Sequence, residues 1–145
     1  MGNAQSSSIN KNINFEDLQS AIKDNEKTVI INTLDSNNQK CLIKGTISID
    51  DEVKILNTYI TKNTTIRIII YGPNACDMTI MKKYEQLIGL GFYNVFIYPG
   101  GLFEWLLLQD IYGYENFPTT KQETDIIKFK GKSIFNNYYL TNDID

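Results

Sequence analysis

The sequence has no histidine and a single arginine, Arg67, among its 145 residues. Without imidazole there is no Ser-His-Asp or Cys-His couple, no histidine general base and no imidazole ligand for zinc. One guanidinium limits bidentate phosphate clamping to Arg67. Two cysteines, Cys41 and Cys76, are too few for a disulfide framework and fit a reducing, cytoplasmic setting. A net charge of -3 argues against a nucleic-acid surface or a strongly basic membrane face. No stretch nears the roughly 18 apolar residues of a membrane span, and the start lacks the basic and apolar regions of a signal peptide. No metal or cofactor is implied.

What the chain does contain is 22 Ile, 16 Asn and 13 Lys, about a third of its residues. That bias speaks more of codon usage than of chemistry, but its Ile runs locate strands. At 16.6 kDa folding can remove roughly 68–70% of the unfolded surface from water, enough for one core without staples.

The opening Met1-Gly2-Asn3-Ala4-Gln5-Ser6 fits the pattern for N-myristoylation of Gly2 after removal of Met1. A chance match, roughly one chain in a hundred at ordinary residue frequencies, is the plain alternative. One acyl chain gives only marginal, reversible membrane binding. No second signal is visible nearby, since Lys11 is the only cation in the first 22 residues. Residues 1–13, polar and Asn/Ser-rich, are expected to form a disordered arm.

From there two periods alternate. Phe15, Leu18, Ala21 and Ile22 share one helical face, with Asn14 as N-cap and Asp17 three residues on. Residues 28–34 read as a buried strand, residues 41–43 as a weaker one and residues 45–49 as a short extended piece. Asp50 and Asp51 are placed to cap a helix with an apolar face of Val53, Leu56 and Ile60. Residues 66–71 are isoleucine apart from Arg67 and the closing Tyr71, as in a central parallel strand. The loop Gly72-Pro73-Asn74-Ala75-Cys76-Asp77 leads into a helix carrying Ile80, Met81, Tyr84, Leu87 and Ile88 on one side. Residues 94–98 form the next strand, and the segment 102–110, including Phe103, Trp105 and Leu106, is apolar nearly all round. Most of it should be core, with an exposed remainder available to a partner. Strands alternating with helices predict an α/β fold, a mostly parallel sheet covered on both faces, with ligands at the carboxyl ends of the strands.

Several stretches carry a resemblance to the rhodanese-like domain. They are the opening helix, Val29-Ile30-Ile31-Asn32, Gly45-Thr46-Ile47-Ser48-Ile49 and the strand-loop-helix unit over 68–88. Most specific is Pro99-Gly100-Gly101-Leu102-Phe103-Glu104-Trp105, similar to the family's closing Gly-Gly-x-x-x-Trp. The ending over 100–120 resembles a protist and large-virus branch of that family. The resemblance implies a single domain over residues 14–120, with residues 121–145 as a C-terminal extension packing back on it, shielding a sheet edge or the pocket.

In that family the catalytic cysteine opens the loop after the central strand, where loop amides and the helix N-terminus lower the thiol pKa. Here Gly72 opens the loop, Pro73 offers no N–H, and Asp77 brings a carboxylate to the far end of a site meant for an anion. Cys76 is a displaced persulfide carrier or, more plainly, a semi-buried inert thiol beside Asp77. Asp77 is an ordinary N-cap or fills the vacated anion site. Cys41 reads as a small apolar residue. A phosphatase needs Cys-x5-Arg, but Lys82 stands where that Arg would be. The lost nucleophile in an otherwise intact strand-loop-helix frame, with the Gly2 motif, leads to the expectation of a catalytically silent module, tethered through Gly2 to the cytosolic face of a membrane and binding an unknown protein partner. The alternative is a sulfurtransferase working through Cys76.

Overall fold

The computed structural model describes residues 10–135; Gly2 and its acylation motif lie outside them. Three parallel strands, β1 (Thr28–Asn32), β2 (Arg67–Tyr71) and β3 (Val95–Ile97), form a sheet in the order β1-β2-β3. Among the described residues four helices precede, connect and follow them: α1 (Phe15–Lys23), α2 (Glu52–Lys62), α3 (Thr79–Gly89) and α4 (Gly101–Tyr112). The predicted α/β class with β2 at the centre is what the structure has. Val29 pairs with Ile68 and Ile31 with Ile70, while Ile68 also faces Val95.

Because successive strand side chains point to opposite faces, an unbroken Ile run feeds two cores at once. Ile30, Ile69 and Tyr71 join Leu18 and Ala21 of α1 and Leu102, Trp105 and Leu106 of α4. Val29, Ile31, Ile68 and Ile70 join Leu56 of α2 and Ile80 and Leu87 of α3. The sheet is thereby covered on both sides, as a parallel sheet requires. The capping box expected on α1 is present: Asp17 N–H donates to Asn14 Oδ1 at 3.0 Å and Asn14 N–H to Asp17 Oδ2 at 3.1 Å.

Five expectations are corrected. Residues 11–13 do not belong to a disordered arm: Ile97 N–H donates to Lys11 O and Ile13 N–H to Ile97 O, both at 2.8 Å. The free edge of β3 presents backbone groups that need partners, and this segment supplies them. Residues 41–43 form no strand; Ile43 makes one antiparallel bridge to Thr119. The face of α2 is narrower than expected, since Val53 is 68% exposed, and on α3 Met81 and Ile88 are exposed while Ile80 and Leu87 are buried. Asp51 precedes α2 without a side-chain cap bond.

The segment after α4 returns to the domain. Trp105 Nε1 donates to Pro118 O at 3.1 Å, Thr120 N–H to Leu42 O at 2.8 Å, and a 3-10 turn over Ile126–Phe129 brings Phe129 into the core. The part of the extension over residues 136–145 lies outside the described residues.

Candidate functional site at the end of the central strand

The loop of residues 72–77 lies at the carboxyl end of β2, where open α/β sheets bind ligands. Gly72 is buried and its neighbours leave it no side-chain space. A Cβ there would lie 2.7 Å from Asp77 Oδ2, 2.8 Å from Thr33 Oγ1 and 3.1 Å from Ile80 Cδ1. Asp77 is fixed in that position: Oδ1 accepts from Thr79 N–H at 3.1 Å, and Oδ2 accepts from Thr79 Oγ1 at 2.7 Å and Thr33 Oγ1 at 3.3 Å. The residue flanking α3 as its cap is Met78, not Asp77. Asp77 instead works one residue earlier, binding the first helical residue and spanning back to the end of β1. Sequence reasoning missed Thr33 and Thr79; Thr79 is two residues after an Asp, an arrangement that favours such side-chain turns.

Two of the loop's amides bond to its own oxygens. Cys76 N–H donates to Asn74 Oδ1 at 2.9 Å and Asp77 N–H to Asn74 O at 3.4 Å. Cys76 is exposed, which corrects the semi-buried placement expected for it. Its sulfur lies against the extension, 3.0 Å from where a Cβ on Gly131 would stand. Asn74 Nδ2 reaches the same extension, donating to Phe129 O at 2.9 Å. Ala75 is exposed and makes no part of this network.

Opposite, the N-terminus of α4 is docked on the loop. Leu102 N–H donates to Gly72 O and Phe103 N–H to Pro73 O, both at 2.9 Å. Two otherwise unpaired helix-start amides are thus spent on the loop's carbonyls. Gly101 makes this possible: its φ is +67°, and a Cβ would come within 2.5 Å of Gly72 O. Behind it Tyr98 OH donates to Glu104 Oε2 at 2.5 Å, and burial, followed by the Glu104 carboxylate, pushes the Tyr98 phenol up.

A cleft of about 420 Å³ opens beside Asp77, lined by Asn32, Thr33, Glu52, Thr79, Lys82 and Lys83 among others. Lys83 Nζ is paired with Glu52 at 2.5 Å. Lys82, set by count at the phosphatase arginine's place, lies on the cleft wall. Cys41 is remote from the loop, buried, with its thiol donating to Lys121 O at 3.2 Å; burial raises its pKa. Arg67 is exposed at the start of β2, the far end of the sheet.

Residues 9–108 match the rhodanese-like domain family. The chain belongs to that family. The solved structures similar to this rhodanese-like domain share its fold. A rhodanese-like domain from Anabaena sp. is 22% identical, with 86% of this chain and 87% of that one covered at a TM-score of 0.54. A Bacillus halodurans protein is 19% identical, with 88% and 95% covered at 0.60. The thiosulfate sulfurtransferase of Pseudomonas aeruginosa is 18% identical at 0.53; 68% of this rhodanese-like domain matches 19% of that longer chain. No curated protein matches the sequence.

Proposed function

We propose that this rhodanese-like domain is catalytically silent and acts as a binding or regulatory module held at the cytosolic face of a membrane by an acyl group on Gly2. In this reading Gly72 stands in the place of the family's catalytic cysteine, and the kinship is with the protist and large-virus branch that residues 100–120 resemble. The observation that carries it is the filled space at position 72, where Asp77 Oδ2 and Thr33 Oγ1 lie 2.7 and 2.8 Å from a hypothetical Cβ. A persulfide anion needs convergent N–H donors; here Asn74 oxygens take those of Cys76 and Asp77, the Asp77 carboxylate takes that of Thr79, and Pro73 contributes none. The membrane part rests on the opening Met1-Gly2-Asn3-Ala4-Gln5-Ser6, which would carry an amide between the Gly2 amine and myristate taken from its coenzyme A thioester.

A second reading has one observation in its favour, the exposure of Cys76, which leaves its thiol open to a sulfur donor. Thiosulfate:cyanide sulfurtransferase assays separate the two. The silent module gives the blank rate, and mass spectrometry after treatment with a sulfide donor finds no stable added sulfur on Cys76. Activity above blank that disappears in Cys76→Ala would overturn the proposal. Acylation is tested separately by metabolic labelling with a myristate analogue, with label expected in the native protein and absent in Gly2→Ala.

A further inference from the structure

The pairing of residues 11–13 with β3 fixes where the N-terminal arm leaves the fold. Asn12 bridges Ile97 in parallel, so the chain runs in the same sense as β3, and residues before it emerge at the amino end of the strands. Lys11 confirms the place: its Nζ donates to Tyr93 O at 3.4 Å, and lies 4.8 Å from the centre of the Phe96 ring. The loop of residues 72–77 is at the other end of the same sheet.

Side chains that suit a bilayer lie in the segment leading into β3, where the Tyr93 carbonyl holds Lys11. In the turn that ends α3, Ile88, Leu90 and Tyr93 are 40%, 43% and 61% exposed, an unusual cluster of large apolar side chains within six residues. Tyrosine with lysine or arginine at its flank is the composition of a membrane-interface anchor. Arg67, the chain's one arginine, lines a groove with Ile13 and Phe96. Asp17 lines the same groove, but its carboxylate is committed to the α1 capping box. On Arg67's other side lie Glu26 and Lys27, the latter with its Nζ 3.8 Å from Asp24 Oδ2. Among the described residues no helix is long and apolar enough to cross a membrane, so contact here is made by a surface.

We propose that the face formed by Lys11, Arg67, Ile88, Leu90 and Tyr93 rests on an anionic bilayer and is the second attachment signal that a single acyl chain needs. This rests on the acylation reading above. A myristoyl group alone binds marginally, with a constant of about 10⁴ M⁻¹, and each cation near an anionic surface adds about fivefold. Eight residues, Gly2 to Ile9, separate the acylated amine from Asn10, a span of at most about 30 Å, so an acyl group on Gly2 is within reach of a bilayer under this patch. The geometry then aims the carboxyl ends of the strands, with Asp77 and the cleft beside it, away from the membrane and toward soluble partners.

The test uses full-length protein co-expressed with N-myristoyltransferase and vesicles of phosphatidylcholine with or without 25 mol% phosphatidylserine. Leu90→Asp/Tyr93→Asp, both at exposed positions, is expected to weaken sedimentation with the mixed vesicles at least tenfold. Lys11→Gln should cost about fivefold on the mixed vesicles only. A fluorophore on Tyr93→Cys in a Cys76→Ser background should be quenched by nitroxide lipids, whereas the same fluorophore on Cys76 of the native protein should not. Unchanged binding in the double variant, or equal quenching at both sites, overturns the proposed face while leaving acylation standing. A native protein without the acyl group would instead remove the tether, and the enzymatically acylated protein would still decide the face.

Discussion

A methyl group at position 72 would press on two oxygens that are themselves hydrogen-bonded to Thr79 or to each other. The backbone there is not left-handed, so the obstacle is space alone. Gly72→Ala is therefore expected to cost about 1–3 kcal/mol, the usual range for overpacking a filled site, measured by urea unfolding. Asp77→Ala in the same chain should recover part of that loss, giving a coupling of about 0.5–3 kcal/mol in a double-mutant cycle. Simple additivity would show that Asp77 is not the residue that closes the position. The composition of this site was legible in the sequence, because the lack of a thiol at Gly72 and the carboxylate at Asp77 stand in the linear order. Thr33 was not, since it is 44 residues away from Asp77 and reaches it only because β1 and β2 lie side by side. The exposure of Cys76 was equally out of reach, being set by how the extension crosses the loop.

Among the elements, the strands and helices were readable where periodicity was strong, and failed where a segment depended on a distant partner. β2 and α1 appear as the Ile run and the capping box foretold. Residues 11–13 carry no strand pattern, and pair only because β3 offers an edge. Residues 41–43 are apolar enough for a strand, yet Leu42 and Ile43 are held by Thr120 Oγ1 and Tyr71 OH, so a bridge suffices. The 126–131 segment behaves as a strap across the loop, fastened by Phe129 in the core and by Asn74 Nδ2. Asn74→Ala removes both that bond and the one from Cys76 N–H. At about 1 kcal/mol for each net hydrogen bond, a loss of about 1–2 kcal/mol is expected. Alkylation of Cys76 should also accelerate, because Gly131 no longer lies against the sulfur. An unchanged alkylation rate in Asn74→Ala would show that Phe129 alone fastens the strap.

For the molecule as a whole, the missing histidine makes stability nearly flat across the neutral range, since no imidazole titrates there. The alkaline limb is different. Burial raises the pKa of Cys41, Tyr71 and Tyr98 above the ordinary values of 9.0 for the thiol and 10.0 for the phenols. Above pH 9 the unfolded chain gives up protons that the folded chain keeps, so stability falls as pH rises. Urea midpoints should therefore hold between pH 6 and about 8.5 and decline beyond pH 9; in Tyr98→Phe, which still fills the core, the decline should be shallower. An identical slope would mean that the Tyr98 phenol ionises in the folded state as readily as in the unfolded chain. The docking of Gly101 on Gly72 O has one further consequence, for diagnosis. Its missing side chain is required by the distance between two stretches of backbone, in which no loop side chain takes part. The glycine pair at 100–101 is thus a signature of architecture, and whether a protein bearing it turns over a substrate has to be read from the residues that face the cleft.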